Sequence, residues 1–177
     1  MKKIILLLLS ILTIYFLLQI TEKEEIVIPD DAIRFRVLAN SNSVYDQNIK
    51  IQIRNIVQNR ILELTKDSKT IEETRETIKN HKSEIENIVS NKLMELGYDK
   101  KYNVDYGYNF FPNKKYKGIN YKEGYYESLV ITLGKGEGNN WWCVLFPPLC
   151  LLEADESSSS NAEYTFFVKE LVDKYFK

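Results

Sequence analysis

At about 100 to 200 residues per domain, a chain of 177 residues has room for one hydrophobic core plus appendages, and its 44% apolar and 28% charged content excludes a disordered polymer. Its formal net charge is −1, and it becomes more negative if Lys2 and Lys3 leave with the leader. A protein that holds a phosphate backbone concentrates positive charge, so nucleic acid is excluded as the expected partner.

The first segment, MKKIILLLLSILTIYFLLQITEKEE, sets Lys2 and Lys3 before an uncharged apolar run from Ile4 to Ile20, followed at once by Glu22, Glu24 and Glu25. Charge is costly at the bilayer centre, and flanking lysines stay on the cytoplasmic side. The rest of the chain is therefore expected to be exported. The run has close to the minimum spanning length and shows no small-x-small cleavage site before TEKEE. Residues 1–21 thus read as a signal peptide or a signal anchor, the second of which would hold the protein at the membrane. Residues 22–31 read as a spacer, with a turn at Pro29 and Asp30, and an α+β domain is expected over 32–156.

IRFRVLA alternates Ile33, Phe35, Val37 and Ala39 against Arg34, Arg36 and Leu38, the period of a half-buried strand, and NSNS breaks it. From Asp46 the spacing becomes helical: Ile49, Ile53, Ile56, Val57, Ile61 and Leu64 share a face, with Ser43 or Asp46 as the cap. A second helix is predicted from about Thr70 to Leu96, stopped by Gly97, with His81 on a charged, solvated face. YNVDYGYNF puts Tyr102, Val104, Tyr106, Tyr108 and Phe110 on one side of a strand, which predicts a sheet with one covered face. YYESLVITL reads as a strand and LGKGEGNN as a hairpin connection; the Gly-Lys-Ser/Thr ending of a phosphate loop is absent. WWCVLF is then expected to be the antiparallel partner of YYESLVITL, ended by Pro147 and Pro148. Residues 157–160 form a Ser-rich link, and 161–177 an amphipathic helix with Tyr164, Phe167, Val168, Leu171 and Tyr175 on one side. The expected fold is α+β: a mostly antiparallel sheet of about four strands, two helices between the first and second strands, and a C-terminal amphipathic helix.

Chemistry is sparse. The single His lies on a charged helix face and no Gly-x-Ser-x-Gly pattern occurs, so no nucleophile and base can be paired. Two thiols and one His do not make a zinc site. No catalytic, cofactor or metal residues are expected. Asp105, Glu123, Glu127 and Glu137 leave open a wall-associated hydrolase or a glycan-binding protein, since two carboxyls suffice for glycoside hydrolysis. NNWWCVLFPPLC holds both tryptophans and both cysteines. Outside the cytosol Cys143 and Cys150 can close a disulfide; the other reading is two small buried hydrophobes. Trp141 and Trp142 read either as a protein interface or as a core plug, one of the two facing inward.

The residues also resemble a known family, stage II sporulation protein R, from about Ile28 to Leu152. IPDDAIRFRVLANSNSVYDQNIK is similar to the family's opening segment, VDYGYNFFP to an internal strand, and ITLGKGEGNNWWCVLFPPLC to its signature. Where the family pattern has Ala-Asn-Ser-Asp, this sequence has Ala39-Asn40-Ser41-Asn42. The resemblance implies a signalling protein rather than an enzyme. It would be made in the forespore, secreted across the forespore membrane into the space between forespore and mother cell, and would trigger a membrane-embedded aspartic protease of the mother cell that processes the sigma factor E precursor. On that reading the candidate partner-binding residues are Trp141, Trp142, Pro147 and Pro148 at one strand end, and Asn40, Ser41 and Asp46 at another.

Overall fold

The computed structural model describes residues 26–116, 119–150, 170–171 and 173–175. The leader, the Ser-rich link and most of the closing helix lie outside the described residues; of that helix, residues 170–171 and 173–175 are helical. Among the described residues no helix is long and apolar enough to cross a membrane.

The elements run β1 (Ile26–Val27), β2 (Ile33–Leu38), α1 (Val44–Thr65), α2 (Ile71–Asn80), α3 (Lys82–Glu95), β3 (Tyr102–Phe111), β4 (Lys114–Tyr116), β5 (Ile119–Tyr121), β6 (Gly124–Leu133) and β7 (Asn140–Phe146). The main sheet has four strands in the order β3-β6-β2-β7, and a small sheet has the order β1-β5-β4. β3 and β6 form a long antiparallel pair from Tyr102↔Leu133 to Phe111↔Gly124. β2 runs parallel to β6, with Phe35 opposite Leu129, and antiparallel to β7, with Phe35 opposite Cys143.

The sheet is therefore mixed, not mostly antiparallel, and β7 does not pair with β6. The hairpin expectation fails because β2 lies between them. Alternation says that one side of a strand is apolar; it does not say which two strands flank it. β2 takes the central place because both of its sides are covered. Ile33, Phe35 and Val37 point into the helix-covered core, while Arg34, on the other side, is only 1% exposed.

The core beneath the helices joins Phe35, Val37, Val104, Leu129, Ile131, Leu133 and Cys143 to Ile49, Ile53, Val57 and Ile61 of α1 and Ile85, Val89 and Leu93 of α3. The opposite face, expected to be open, is covered over its centre by a second cluster of Ile28, Phe111, Tyr121, Tyr126, Trp142, Val144 and Leu149. Part of the predicted spacer belongs to this layer, since β1 pairs with β5 and Ile28 is buried. The aromatic row of β3 is covered only in its middle. Val104 and Tyr106 meet the core, whereas Tyr108 is 74% exposed and Phe110 49%.

The single helix predicted over 70–96 is two helices, broken at His81, where ψ is 9° and the ring Nδ1 lies 2.8 Å from Thr77 O. The break lets α2 bury Thr74 and Ile78 while α3 buries Ile85, Val89 and Leu93. Gly97, at φ +62°, ends α3 with Tyr98 N bonded to Leu93 O.

Candidate functional site

β2 delivers its last residues to one end of the sheet, where the chain must turn into α1. Ser43 caps the helix, its Oγ accepting from Asp46 N at 3.1 Å. The Asp46 side chain turns back instead of reaching solvent. Its Oδ2 accepts from Ser41 Oγ at 2.5 Å and Asn40 Nδ2 at 2.8 Å, and its Oδ1 from Lys100 Nζ at 3.4 Å. The residue is 4% exposed. The hydrogen bonds from Ser41 and Asn40, with Lys100 beside them, outweigh burial and hold the carboxyl below its usual range.

The glycine-rich connection from β6 to β7 crosses over the same end of β2. Gly134 and Gly136 take φ of +58° and +69°. A Cβ on Gly138 would stand 2.3 Å from Ser41 O, so only glycine lets the two backbones approach this closely. The loop's amides are spent on the protein itself: Gly134 N on Lys101 O, Lys135 N on Asn40 Oδ1, Gly136 N on Leu133 O, Gly138 N on Ala39 O, and Asn139 N on Asn42 Oδ1. A phosphate-cradling loop points such amides at its ligand. Here they fix one loop to another.

α1 closes the network from below. Gln47 Nε2 donates to Ser41 O at 2.9 Å, and Lys50 Nζ donates to Gln47 Oε1 at 2.6 Å and Asn139 O at 3.1 Å. Desolvation, with Arg54 and Lys114 nearby, lowers the affinity of Lys50 for its proton. Above this base opens a cleft of about 500 Å³ lined by Asn40, Ser41, Lys100, Lys101, Gly134, Lys135 and Glu137. Of its two acidic residues, Asp46 beneath the floor is already bonded on both oxygens, and Glu137 is exposed. Among the described residues no cluster of His, Cys, Asp and Glu suits a metal ion.

The structure regroups the other candidates. Trp141 lies at the cleft end of β7, opposite Val37, half-buried edge-on to Phe35 and with Arg54 5.3 Å from its ring. Trp142 faces the other side of the sheet, 8% exposed, edge-on to Phe111 and Tyr121 and with the Arg36 guanidinium 5.2 Å away. With its amide oriented to serve both partners, Asn140 accepts from Arg36 Nη2 at 2.6 Å and donates to Gly138 O at 3.0 Å. Pro147 is buried and Pro148 half-buried at the far end of β7, about 20 Å from Trp141 at ordinary strand rise. So Trp141 belongs with Asn40, Ser41 and Asp46, and the two prolines stand apart from all of them. Cys143 and Cys150 form a disulfide across that far turn, with Cα atoms 5.6 Å apart.

Residues 29–156 match the family described as Stage II sporulation protein R. The chain belongs to that family. The matched span contains the whole cleft, from Asn40 through Lys101 to Asn139. The chain is also 44% identical over 156 residues to Stage II sporulation protein R of Bacillus subtilis (strain 168), a match that covers 88% of this chain and 66% of that relative, a little under two thirds of its length. The relative is named as a sporulation protein, not as an enzyme. No solved structure matches the chain significantly.

Lys100, Lys101, Lys135, Gln47 and Lys50 were not legible as site residues. Their common location depends on β6 pairing with both β3 and β2, and on β7 joining β2, which no local pattern encodes.

Proposed function

We propose that this protein is an exported signalling protein of sporulation that works by being bound. It would cross the forespore membrane by its N-terminal segment, act in the space between forespore and mother cell, and switch on a membrane-embedded aspartic protease of the mother cell, leading to processing of the sigma factor E precursor. Family membership over residues 29–156 carries the reading. The cleft at the end of β2 supports it, because a ligand that shifts another protein toward its active state needs a rigid surface bound differently by the two states. Crosslinked by side-chain hydrogen bonds, the Asn40, Ser41 and Asp46 segment and the 134–139 loop form such a surface.

The competing reading, a wall hydrolase or glycan binder, needs two available carboxyls for its catalytic form. Asp46 is held by three donors, which leaves Glu137 alone in the cleft.

The test is reconstitution in a non-sporulating host that expresses the candidate protease, the sigma precursor and this chain. Precursor cleavage should require the chain and its residues 1–21, and Asn40→Ala or Ser41→Ala should reduce it in variants that are exported at normal levels. Cleavage at full strength by a leaderless, cytosolic chain would overturn the proposal.

A further inference from the structure

The cleft carries a charge asymmetry that points to the chemistry of what it holds. Lys101 and Lys135 are exposed and line it, and neither makes an ion pair among the described residues. Lys100, which also lines it, is shared with Asp46 at 3.4 Å, a long contact that does not use all three of its donors. Against these three cations the wall offers one exposed carboxylate, Glu137. This excess stands out on a chain whose formal net charge is −1.

Two exposed apolar residues stand at the start of α1, one of them against Lys100. Val44, the first residue of α1, is 88% exposed, and Tyr45 is 47% exposed with its ring 5.4 Å from Lys100 Nζ. The helix cap at Ser43 needs neither side chain, since its hydrogen bond is made to the Asp46 amide. A tyrosine, of a residue type enriched at interface hot spots, is held outward here with a valine beside it and lysines around it, an arrangement that suits a protein segment more than a small molecule. The glycine loop's amides are turned inward, so the site lacks the backbone nest that selects phosphate, and the lysine ammonium groups are left to do the recognition.

We propose that this cleft receives an acidic peptide segment of the protein partner, its carboxylates meeting Lys101 and Lys135 and an adjacent apolar side chain resting on Val44 and Tyr45. The proposal rests on the reading of the protein as a bound activator, and adds the chemical class of what binds and where.

The full chain in non-ionic detergent is titrated with fluorescent oligoglutamate carrying a central leucine, the same peptide without leucine, and an oligoglutamine control. Oligoglutamate should bind at least about tenfold more tightly than oligoglutamine, and the difference should shrink as salt is raised. Lys101→Glu with Lys135→Glu should abolish it, whereas Lys66→Glu with Lys69→Glu, the same charge change at the other end of α1, should not. Val44→Ser should remove the advantage conferred by leucine. Equal binding of the two peptide chemistries, or full binding by the Lys101 and Lys135 variant, would overturn the proposal. So would inorganic phosphate or phosphatidylglycerol vesicles binding more tightly than the peptide, since the site would then select phosphate. In the reconstituted host, normal signalling by the Lys101 and Lys135 variant alongside lost signalling by Asn40→Ala sinks the acidic-segment proposal alone. A chain that signals equally well without its leader sinks the activator reading beneath it.

Discussion

Asn40 and Lys135, 95 positions apart, are joined by a side-chain oxygen on a backbone amide at 3.1 Å. The other end of the same Asn40 amide donates to Asp46 Oδ2 at 2.8 Å. One side chain thus ties the end of β2, the start of α1 and the loop over both into a single unit.

In that unit an added Cβ on Gly138 would stand 2.3 Å from the backbone oxygen of Ser41. Backbone cannot yield as a flexible side chain does. Gly138→Ala should therefore cost about 1 to 3 kcal/mol, the usual range for overpacking, and should weaken signalling by displacing the loop. Gly107→Ala serves as the control, because its Cβ would meet nothing nearer than 3.9 Å. Thermal unfolding of the full chain in detergent, compared between the two variants, checks it.

Asp46 makes the stability of this unit depend on pH. Its carboxyl is held below the ordinary range by Ser41 and Asn40, with Lys100 in support. A depressed folded-state value means that the stabilisation is fully present above the unfolded carboxyl's pKa of about 4 and is lost as pH falls through the lower, folded value. Asp46→Asn should be less stable than the wild type at neutral pH, and the gap between the two should narrow as acid protonates the wild-type carboxyl. Unfolding midpoints recorded from neutral pH downward measure that gap. A constant gap would mean that Asp46 contributes by shape and not by charge.

How far the sequence revealed this arrangement depended on whether the signal was local. Ile33 to Leu38, the cap at Ser43 and the Ile49, Ile53, Val57 and Ile61 part of the α1 stripe are written in neighbouring residues and lie where their spacing put them, whereas Ile56, predicted on the same face, is 36% exposed. The Gly134 to Asn139 stretch failed as a hairpin because a tight turn and a crossover loop draw on the same glycines and asparagines. Pairing β2 with β6 in parallel requires the long crossover through α1, α2, α3 and β3, which leaves no periodic trace. The cationic lining suffers from the same blindness: Lys100 and Lys101 precede β3, Lys135 follows β6, and only the sheet order makes them neighbours.

Away from the cleft, Glu127 is 6% exposed on β6. Arg75 of α2 meets it with Nε at 2.8 Å from Oε1 and Nη2 at 2.8 Å from Oε2, and the Tyr106 hydroxyl donates to Oε1 at 2.8 Å. Burial alone would push the carboxyl's pKa up; the bonds from Arg75 and Tyr106 reverse this and pull it down. Arg75→Met strands a buried carboxylate and should cost about 3 kcal/mol, whereas adding Glu127→Gln should recover much of the loss. A double-mutant cycle by chemical unfolding reads the coupling directly. Signalling should follow stability in these variants, since neither residue lines the cleft.

The disulfide provides the last separation of scaffold from surface. Cys143, midway along β7, and Cys150, beyond the far end of that strand, are both buried, and neither lines the cleft. Closing so short a loop is worth about 2.5 kcal/mol by chain entropy. Adding reductant should lower the wild-type unfolding temperature and leave Cys143→Ala with Cys150→Ala unchanged. Oligoglutamate should still bind this double variant at temperatures where it is folded, because the cleft is held by Asn40, Ser41 and Asp46. Loss of peptide binding in a folded, disulfide-free chain would show that the far turn of β7 takes part in recognition, and would return Pro147 and Pro148 to the binding surface.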